Sequence, residues 1–305
     1  MTTSPDTTQG RTLFDWVTDR LLRGVIGFMR LLPYEKRVPA MGWFTRRILA
    51  PLAGYQRRAA MNLKYIFPDM DRSECASIVA EVSDNAGRTF IENYSPDEFL
   101  ARNADAKITG PGLAALEKAQ TDGRPVILVT GHFGNYEAPR AALVSRGYNV
   151  GGLYRPASNK FFNDHYAGTF TAYGGPIFAQ GHRGTAGFVR HLKAGGILVL
   201  LFDQHVKTGK RMQFLGRPAR TALSASELAL RYDAELIPFY GTRRPDGLSF
   251  EIELEAPIPH SDPVTMTRAM NASLEARVLA HPGQWFWIHR RWKVGRMKKM
   301  LQARS

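Results

Sequence analysis

The 305-residue chain has one cysteine, Cys75. That excludes an internal disulfide and any cysteine-only metal cluster, and it suits a reducing compartment. Acidic residues are also scarce: 27 Asp and Glu stand against 41 Lys and Arg, a formal net charge of +14. Such a balance favours polyanions, whether nucleic acid, an anionic membrane surface, or acidic and phosphorylated molecules. Long apolar runs are missing, since no stretch reaches the roughly 18 uninterrupted apolar residues of a spanning helix. The opening MTTSPDTTQG lacks the basic, apolar and small-residue succession of a signal peptide. Residues 1–10 are polar and read as disordered. Internal repeats, low-complexity tracts, a G-x-S-x-G elbow and an H-E-x-x-H zinc motif are all absent.

What is present suffices for a substantial core, with 44% of residues hydrophobic. Residues 13–32, LFDWVTDRLLRGVIGFMRLL, place Phe14, Val17, Leu21, Val25, Phe28 and Leu32 in one sector of a helical wheel. Asp15, Asp19, Arg23 and Arg30 fall opposite, and Trp16 sits near the edge. This amphipathic helix either lies in a membrane interface or packs on the protein's own core. Further helices are expected around 35–50 and 72–92, with Pro68 and Asp69 breaking the pattern between them.

After ITGPG (108–112) the texture changes. VILVT (126–130), NVGGLY (149–154), ILVLLF (197–202) and LIPFY (236–240) read as buried strands. Helices are expected near 136–147, 184–194 and 222–233, while FEIEL (250–254) alternates like a more exposed or edge strand. Continuous apolar strands separated by helices predict an α/β fold. We expect a mixed, largely parallel sheet flanked by helices, with an N-terminal helical membrane-docking segment. Residues 1–105 form the helical region and 106–305 the α/β region.

In such sheets ligands collect at the carboxyl ends of the strands. TGHFGNYE (130–137) lies at one of them. Asn135 is placed to cap the following helix, and Glu137 falls in its first turn, able to reach back to His132. A carboxylate on one imidazole nitrogen fixes the tautomer and leaves the other free to take a proton. The helix start also offers free N–H groups for a developing oxyanion.

Other stretches admit two readings each. Arg155 in YRP can hold a phosphate through its fork of donors, or be a surface arginine beside a proline. HRGTAG (182–187) is an anion cradle or an ordinary helix start. Asp203 in FDQH ends a buried strand and needs a partner. With His132, Glu137 and His205 it could instead ligate a metal. In FLGRPARTA (214–222), Gly216 permits close backbone approach, Arg220 can pair with phosphate, and Thr221 is positioned to cap the next helix. WFWIHRRWK combines aromatic and basic side chains, as membrane interfaces and single-strand nucleic-acid platforms do. The tail RMKKMLQARS adds basic charge at a solvated or headgroup-facing helix end.

GHFGNYE resembles the H-x-x-x-x-D/E motif of the lysophospholipid acyltransferase superfamily. It looks most like the branch of late (lauroyl/myristoyl) acyltransferases of bacterial lipid A synthesis. RRAAMNLKYIFPD (57–69), LYRPASN (153–159), FDQHV (202–206), FLGRPARTA, LIPFY and QWFWIHRRWK (284–293) follow in that family's order, so the likeness runs from Arg57 to Lys293. The resemblance implies O-acyl transfer from an acyl carrier protein or coenzyme A thioester to a hydroxyl of a membrane lipid, a lipid A precursor. His132 would be the base and Glu137 its orienter. Gly134, Asn135, Arg155, Asp203, Gly216, Arg220 and Thr221 would serve substrate binding, with no metal and no cofactor beyond the thioester. Partners would be the acyl donor and an anionic lipid at the cytoplasmic face of the bacterial inner membrane, not nucleic acid. The branch commonly carries a more apolar N-terminal anchor than residues 13–32. Acylation of a lyso-phospholipid or lyso-aminolipid by the same chemistry therefore stays open, as does a non-catalytic basic membrane- or nucleic-acid-binding protein.

Overall fold

A computed structural model describes residues 12–157 and 159–293. The polar start (1–10) and the basic tail (296–305) lie outside the described residues. Nine strands occur among the described residues: β1 (Ile108–Thr109), β2 (Val126–Thr130), β3 (Val150–Tyr154), β4 (Ile177–Ala179), β5 (Ile197–Leu201), β6 (Lys210–Phe214), β7 (Arg217–Thr221), β8 (Glu235–Arg243) and β9 (Phe250–Leu254). Seven of them form one sheet in the order β1-β9-β8-β2-β5-β3-β4. Every neighbouring pair is parallel except β8 with β9. The apolar run of β2 is buried throughout, as a strand covered on both faces requires. FEIEL does alternate in burial, but it lies next to the edge, between β8 and β1.

Period-2 side-chain alternation divides the core into two layers. Ile127, Val129, Leu198 and Leu236 face Leu192, Ala229, Met270 and Leu274 on one side. Val126, Leu128, Ile197 and Ile237 face the other, where Val38, Met41, Ile91 and Phe99 of the N-terminal helices join them. The N-terminal helices thus share their core with the sheet.

The helix Leu13–Arg30 packs on the core through Ile26 and Met29, with Leu22 and Val25 beside them. Thr12 and Asp15 close a capping box at its start. Asp19 is fully buried and pairs with Arg20 and Arg23, each at 2.8 Å. Arg23 also donates to Phe161 O (2.8 Å), and Asn159 Nδ2 donates to Asp15 O (2.7 Å). Asp19 and Arg23 of its charged face therefore meet the protein too, while Phe14 is 78% exposed and Leu21 and Phe28 66% each.

Other segments depart from the sequence reading. Residues 55–66 form a helix (Tyr55–Ile66) before the break at Pro68, and the segment after Phe44 is a π-turn (Thr45–Leu49). A helix Pro263–Ala280, capped by Asp262, buries Met266, Met270, Leu274 and Val278 at four-residue spacing. FLGRPARTA supplies the turn and the second strand of the antiparallel β6–β7 hairpin. Its two-residue turn uses positive φ at Leu215 (49°) and Gly216 (69°), the geometry that matches strand twist.

Candidate active site

Strands β2 and β5 are parallel neighbours with Thr130 beside Leu201. His132 and Asp203 each lie two residues beyond that aligned pair, so the register alone brings them to one place. The contact is direct: His132 Nδ1 lies 2.7 Å from Asp203 Oδ1, and the His132 backbone N–H donates to Asp203 Oδ2 at 2.8 Å. Trp285 Nε1 donates to the same Oδ2 at 2.9 Å. Asp203 is 0% exposed. Burial pushes its carboxyl up, but the charge and hydrogen bonds of His132 outweigh burial and hold it well below the usual carboxylate range. The carboxylate stays charged, Nδ1 carries the imidazole proton, and Nε2 is left as the acceptor.

The loop that presents His132 is stitched on all sides. Gly134 has φ +53°, and a Cβ there would lie 1.9 Å from Gly241 O. Gly134 N–H donates to Gln284 O, Asn135 N–H to Gly241 O and Phe286 N–H to His132 O. Asn85 Nδ2 and Thr89 Oγ1 both donate to Gly134 O (3.0 and 3.1 Å). Behind the loop Asn135 Nδ2 donates to the buried carboxylate of Glu92 (2.7 Å), which Arg243 grips through both Nη atoms (2.6 and 2.7 Å). Asn135 Oδ1 accepts the Glu137 N–H (2.9 Å), so it caps an orphan donor of the next helix as its residue type suggested.

Glu137 departs from the sequence reading. Its carboxylate meets Arg140 Nη1 at 3.1 Å, and the imidazole's carboxylate partner is Asp203. The helix turn carries Glu137 towards Arg140 on its own helix, whose guanidinium is further held by Val150 O and Gly174 O.

On the open side of His132 lies a cavity of about 480 Å³. Glu137 and Arg140 line it beside an apolar wall that includes Leu153, Tyr166, Phe170 and Ile177. Its polar rim includes Arg155, Gln204, His205 and Lys207. Gln204 Nε2 is 3.5 Å from both His132 Nε2 and His289 Nε2, and the two imidazoles meet edge to face at 4.4 Å between centroids. Burial, then the neighbouring His132, pushes the His289 imidazole down to about 3. A larger groove of about 640 Å³ runs between the β6–β7 hairpin and the helix Pro263–Ala280; no histidine lines it.

The remaining candidates scatter. Arg155 is exposed on the cavity rim. Gly134 and Asn135 shape the loop and do not line the cavity, and Gly216 lies at the hairpin tip with open space around it. Arg220 Nη1 donates to Lys207 O and Gly209 O. Thr221 caps nothing: it ends β7 fully buried, its Oγ1 accepts from Arg291 Nη2 (2.7 Å), and the helix Ser224–Tyr232 has no side-chain cap. The tryptophans of WFWIHRRWK form no surface platform, because Trp285, Trp287 and Trp292 are buried against one another and Phe214. Among the described residues no group of three or more His, Cys, Asp or Glu converges as metal ligands. The sequence reading missed Trp285, Glu92, Arg243 and His289; only the position of Asp203 at a strand end offered a signal for any of their contacts.

A histidine–carboxylate pair at the strand ends of a mostly parallel α/β sheet, facing a cavity with one apolar wall and a cationic rim, is the candidate active site. A family model described as bacterial lipid A biosynthesis acyltransferase matches residues 6–294. The chain belongs to this family and is an acyltransferase. It is 25% identical to a lipid A biosynthesis acyltransferase of Haemophilus influenzae over 245 residues, 76% of this chain and 73% of the relative. It is 25% identical to the lipid A biosynthesis lauroyltransferase of Escherichia coli K12, over 78% of this chain and 80% of that one. The palmitoleoyltransferase of the same organism is 25% identical over 89% of both chains.

Proposed function

We propose that this acyltransferase moves a fatty acyl chain from an acyl carrier protein or coenzyme A thioester to a hydroxyl of a lipid A precursor. The observation that carries the reading is the His132–Asp203 pair, with Nε2 turned to a cavity large enough for part of a hydrocarbon chain. His132 Nε2 takes the proton of the acceptor hydroxyl as its oxygen attacks the thioester carbonyl. The C–O bond forms, the C–S bond breaks, and the imidazolium returns its proton to the departing thiolate. Base help of this kind contributes about 10²–10⁴ in rate. Asp203 holds the tautomer and stabilises the transient imidazolium. Glu137 and Arg140 shape the cavity wall next to the base. Arg155 and Arg220 offer charge to anionic parts of either substrate. The lipid A acceptor is supported by the names of the relatives.

The outward apolar face of the helix Leu13–Arg30 supports docking on the cytoplasmic leaflet of the inner membrane. That helix is bonded through Asp15 and Arg23 to Asn159 and Phe161, close in sequence to the cavity-rim residue Arg155. An acceptor held in the leaflet then has a short path to His132. No helix among the described residues is long and apolar enough to cross a membrane.

Lipid profiling of a deletion strain, complemented with the native gene or with His132→Ala, tests the reading. The expected result is a lipid A species lacking one secondary acyl chain, restored by the native gene alone. Unchanged lipid A with an accumulating lyso-lipid would overturn the acceptor. Restoration by His132→Ala would overturn the chemistry.

A further inference from the structure

Acyl transfer needs more than a base, because the thioester carbonyl oxygen takes up charge as the hydroxyl attacks and requires a hydrogen-bond donor. Backbone N–H groups at the start of the helix Glu137–Ser145 are the expected source, but the fold engages them elsewhere. His132 N–H donates to Asp203 Oδ2, Phe133 N–H to Gly131 O, Gly134 N–H to Gln284 O and Asn135 N–H to Gly241 O. Glu137 N–H goes to Asn135 Oδ1 and Ala138 N–H to Asn135 O. The loop that presents the base is fixed by these bonds and keeps few donors for the reacting centre.

A side-chain donor stands on the open side instead. Gln204 follows Asp203 in sequence, so one strand end carries both the orienter of His132 and a carboxamide. Its main chain is anchored where Gln204 O accepts from Arg291 Nη1 at 3.2 Å, and its exposed side chain lines the His132 cavity. Its Nε2 lies 3.5 Å from His132 Nε2 and 3.5 Å from His289 Nε2. The His132 Nε2 atom is bare, because Nδ1 holds the proton against Asp203. A bare ring nitrogen repels an amide oxygen and attracts an amide N–H, so the carboxamide turns its nitrogen towards the base. One N–H faces each imidazole. Catalytic hydrogen bonds of this length tighten once the reacting atoms arrive.

We propose that the Gln204 side-chain amide is a catalytic donor to the oxyanion formed at the thioester carbonyl, beside His132 Nε2. The inference rests on the acyl-transfer reading of His132 and adds a group that this chemistry needs. The acceptor hydroxyl must come within about 2.6–3.2 Å of His132 Nε2 to give up its proton. It takes the place of the Gln204 N–H at that nitrogen, and the freed N–H lies beside the carbon under attack. As the C–O bond forms, the carbonyl electron pair moves onto oxygen and Gln204 donates to it. As that pair returns, the C–S bond breaks and the thiolate leaves. His289 holds the second N–H, so the amide is oriented before the reaction starts and needs no reorganisation during it.

Steady-state kinetics of full-length Gln204→Ala and Gln204→Met test the assignment, the second keeping the chain length without the donor. In both, kcat is expected to fall about 10²–10³-fold, with KM for either substrate nearly unchanged. Tm should stay at the native value because the side chain is exposed. A kcat within a few fold of native, or a loss confined to KM, overturns the proposal. Two analogues read the oxyanion directly. A phosphonate mimic of the tetrahedral adduct places an anionic oxygen where the oxyanion forms, and a thioether analogue of the donor has no oxygen there. Both variants should bind the phosphonate at least about tenfold more weakly and the thioether as the native protein does, whereas equal losses overturn the role. In Gln204→Glu the His132 imidazole, followed by NMR, should titrate at higher pH, since a carboxylate beside Nε2 favours the imidazolium. An unmoved titration would mean that Gln204 does not face the base, and would overturn it too. His132→Ala is expected to lose turnover and still prefer the phosphonate to the thioether. Turnover retained in that variant would overturn the base itself, a result separate from anything the Gln204 variants give.

Discussion

His132 and Asp203 are 71 residues apart in sequence and 2.7 Å apart in space, closed by the parallel register of two neighbouring strands. Asp203→Asn is expected to reduce kcat by roughly 10²–10⁴-fold, because an amide no longer selects the tautomer with its proton on Nδ1. The far-downfield proton NMR signal of His132 Nδ1–H should disappear with it. Glu137→Gln should retain that signal, since its carboxylate meets Arg140. Loss of the signal in Glu137→Gln would show the two carboxylates exchanging partners.

Gly134→Ala tests how tightly the loop is set. The alanine must hold φ near +53° with its Cβ 1.9 Å from Gly241 O, so the backbone has to move. A destabilisation of at least ~2 kcal/mol is expected in urea denaturation. Turnover should fall further than the lost folded fraction explains, because His132 shifts with the loop. A variant as stable and as active as the native protein would mean the loop has slack that its hydrogen bonds conceal.

His289 provides a pH dependence with a definite sign. Its imidazole is pushed down to about 3 by burial and by His132, against about 6.5 in an unfolded chain. Between those values the unfolded state binds a proton that the folded state does not. Stability is therefore fully present above about pH 6.5 and is lost as pH falls towards 3. His289→Asn should flatten the decline in Tm between about pH 7 and pH 5, a window above the range in which Asp203 titrates. Equal slopes in both proteins would place the proton uptake elsewhere.

The exposed face of the helix Leu13–Arg30 predicts a binding defect without a folding defect. Phe14→Ser with Leu21→Ser removes two largely exposed side chains, so Tm should hardly change. Each contributes about 1.5–3 kcal/mol when fully buried in an apolar phase. Sedimentation with anionic phospholipid vesicles should therefore weaken by tenfold or more. Undiminished co-sedimentation would assign membrane contact to another surface.

Local pattern settled a good part of this molecule. Apolar runs of five or six residues placed β2, β5 and β8, and the break from strand to TGHFGNYE put His132 at a carboxyl end, because period and termination are written in adjacent residues. Asn135 could be read for the same reason, since its cap spans two positions. Tertiary structure decided the rest. Asp203, not Glu137, orients the imidazole because β5 lies beside β2, and strand order is not a local property. Thr221 lost its capping role once the β6–β7 hairpin set it against Arg291, and the aromatic cluster of WFWIHRRWK went inside to pack on Phe214 and to reach Asp203. The helical wheel of residues 13–32 identified two faces but not which one meets the protein, for amphipathicity is symmetric until a partner is present. Asp19, buried against Arg20 and Arg23, went inward with Ile26 and Met29 and left Phe14, Leu21 and Phe28 outside.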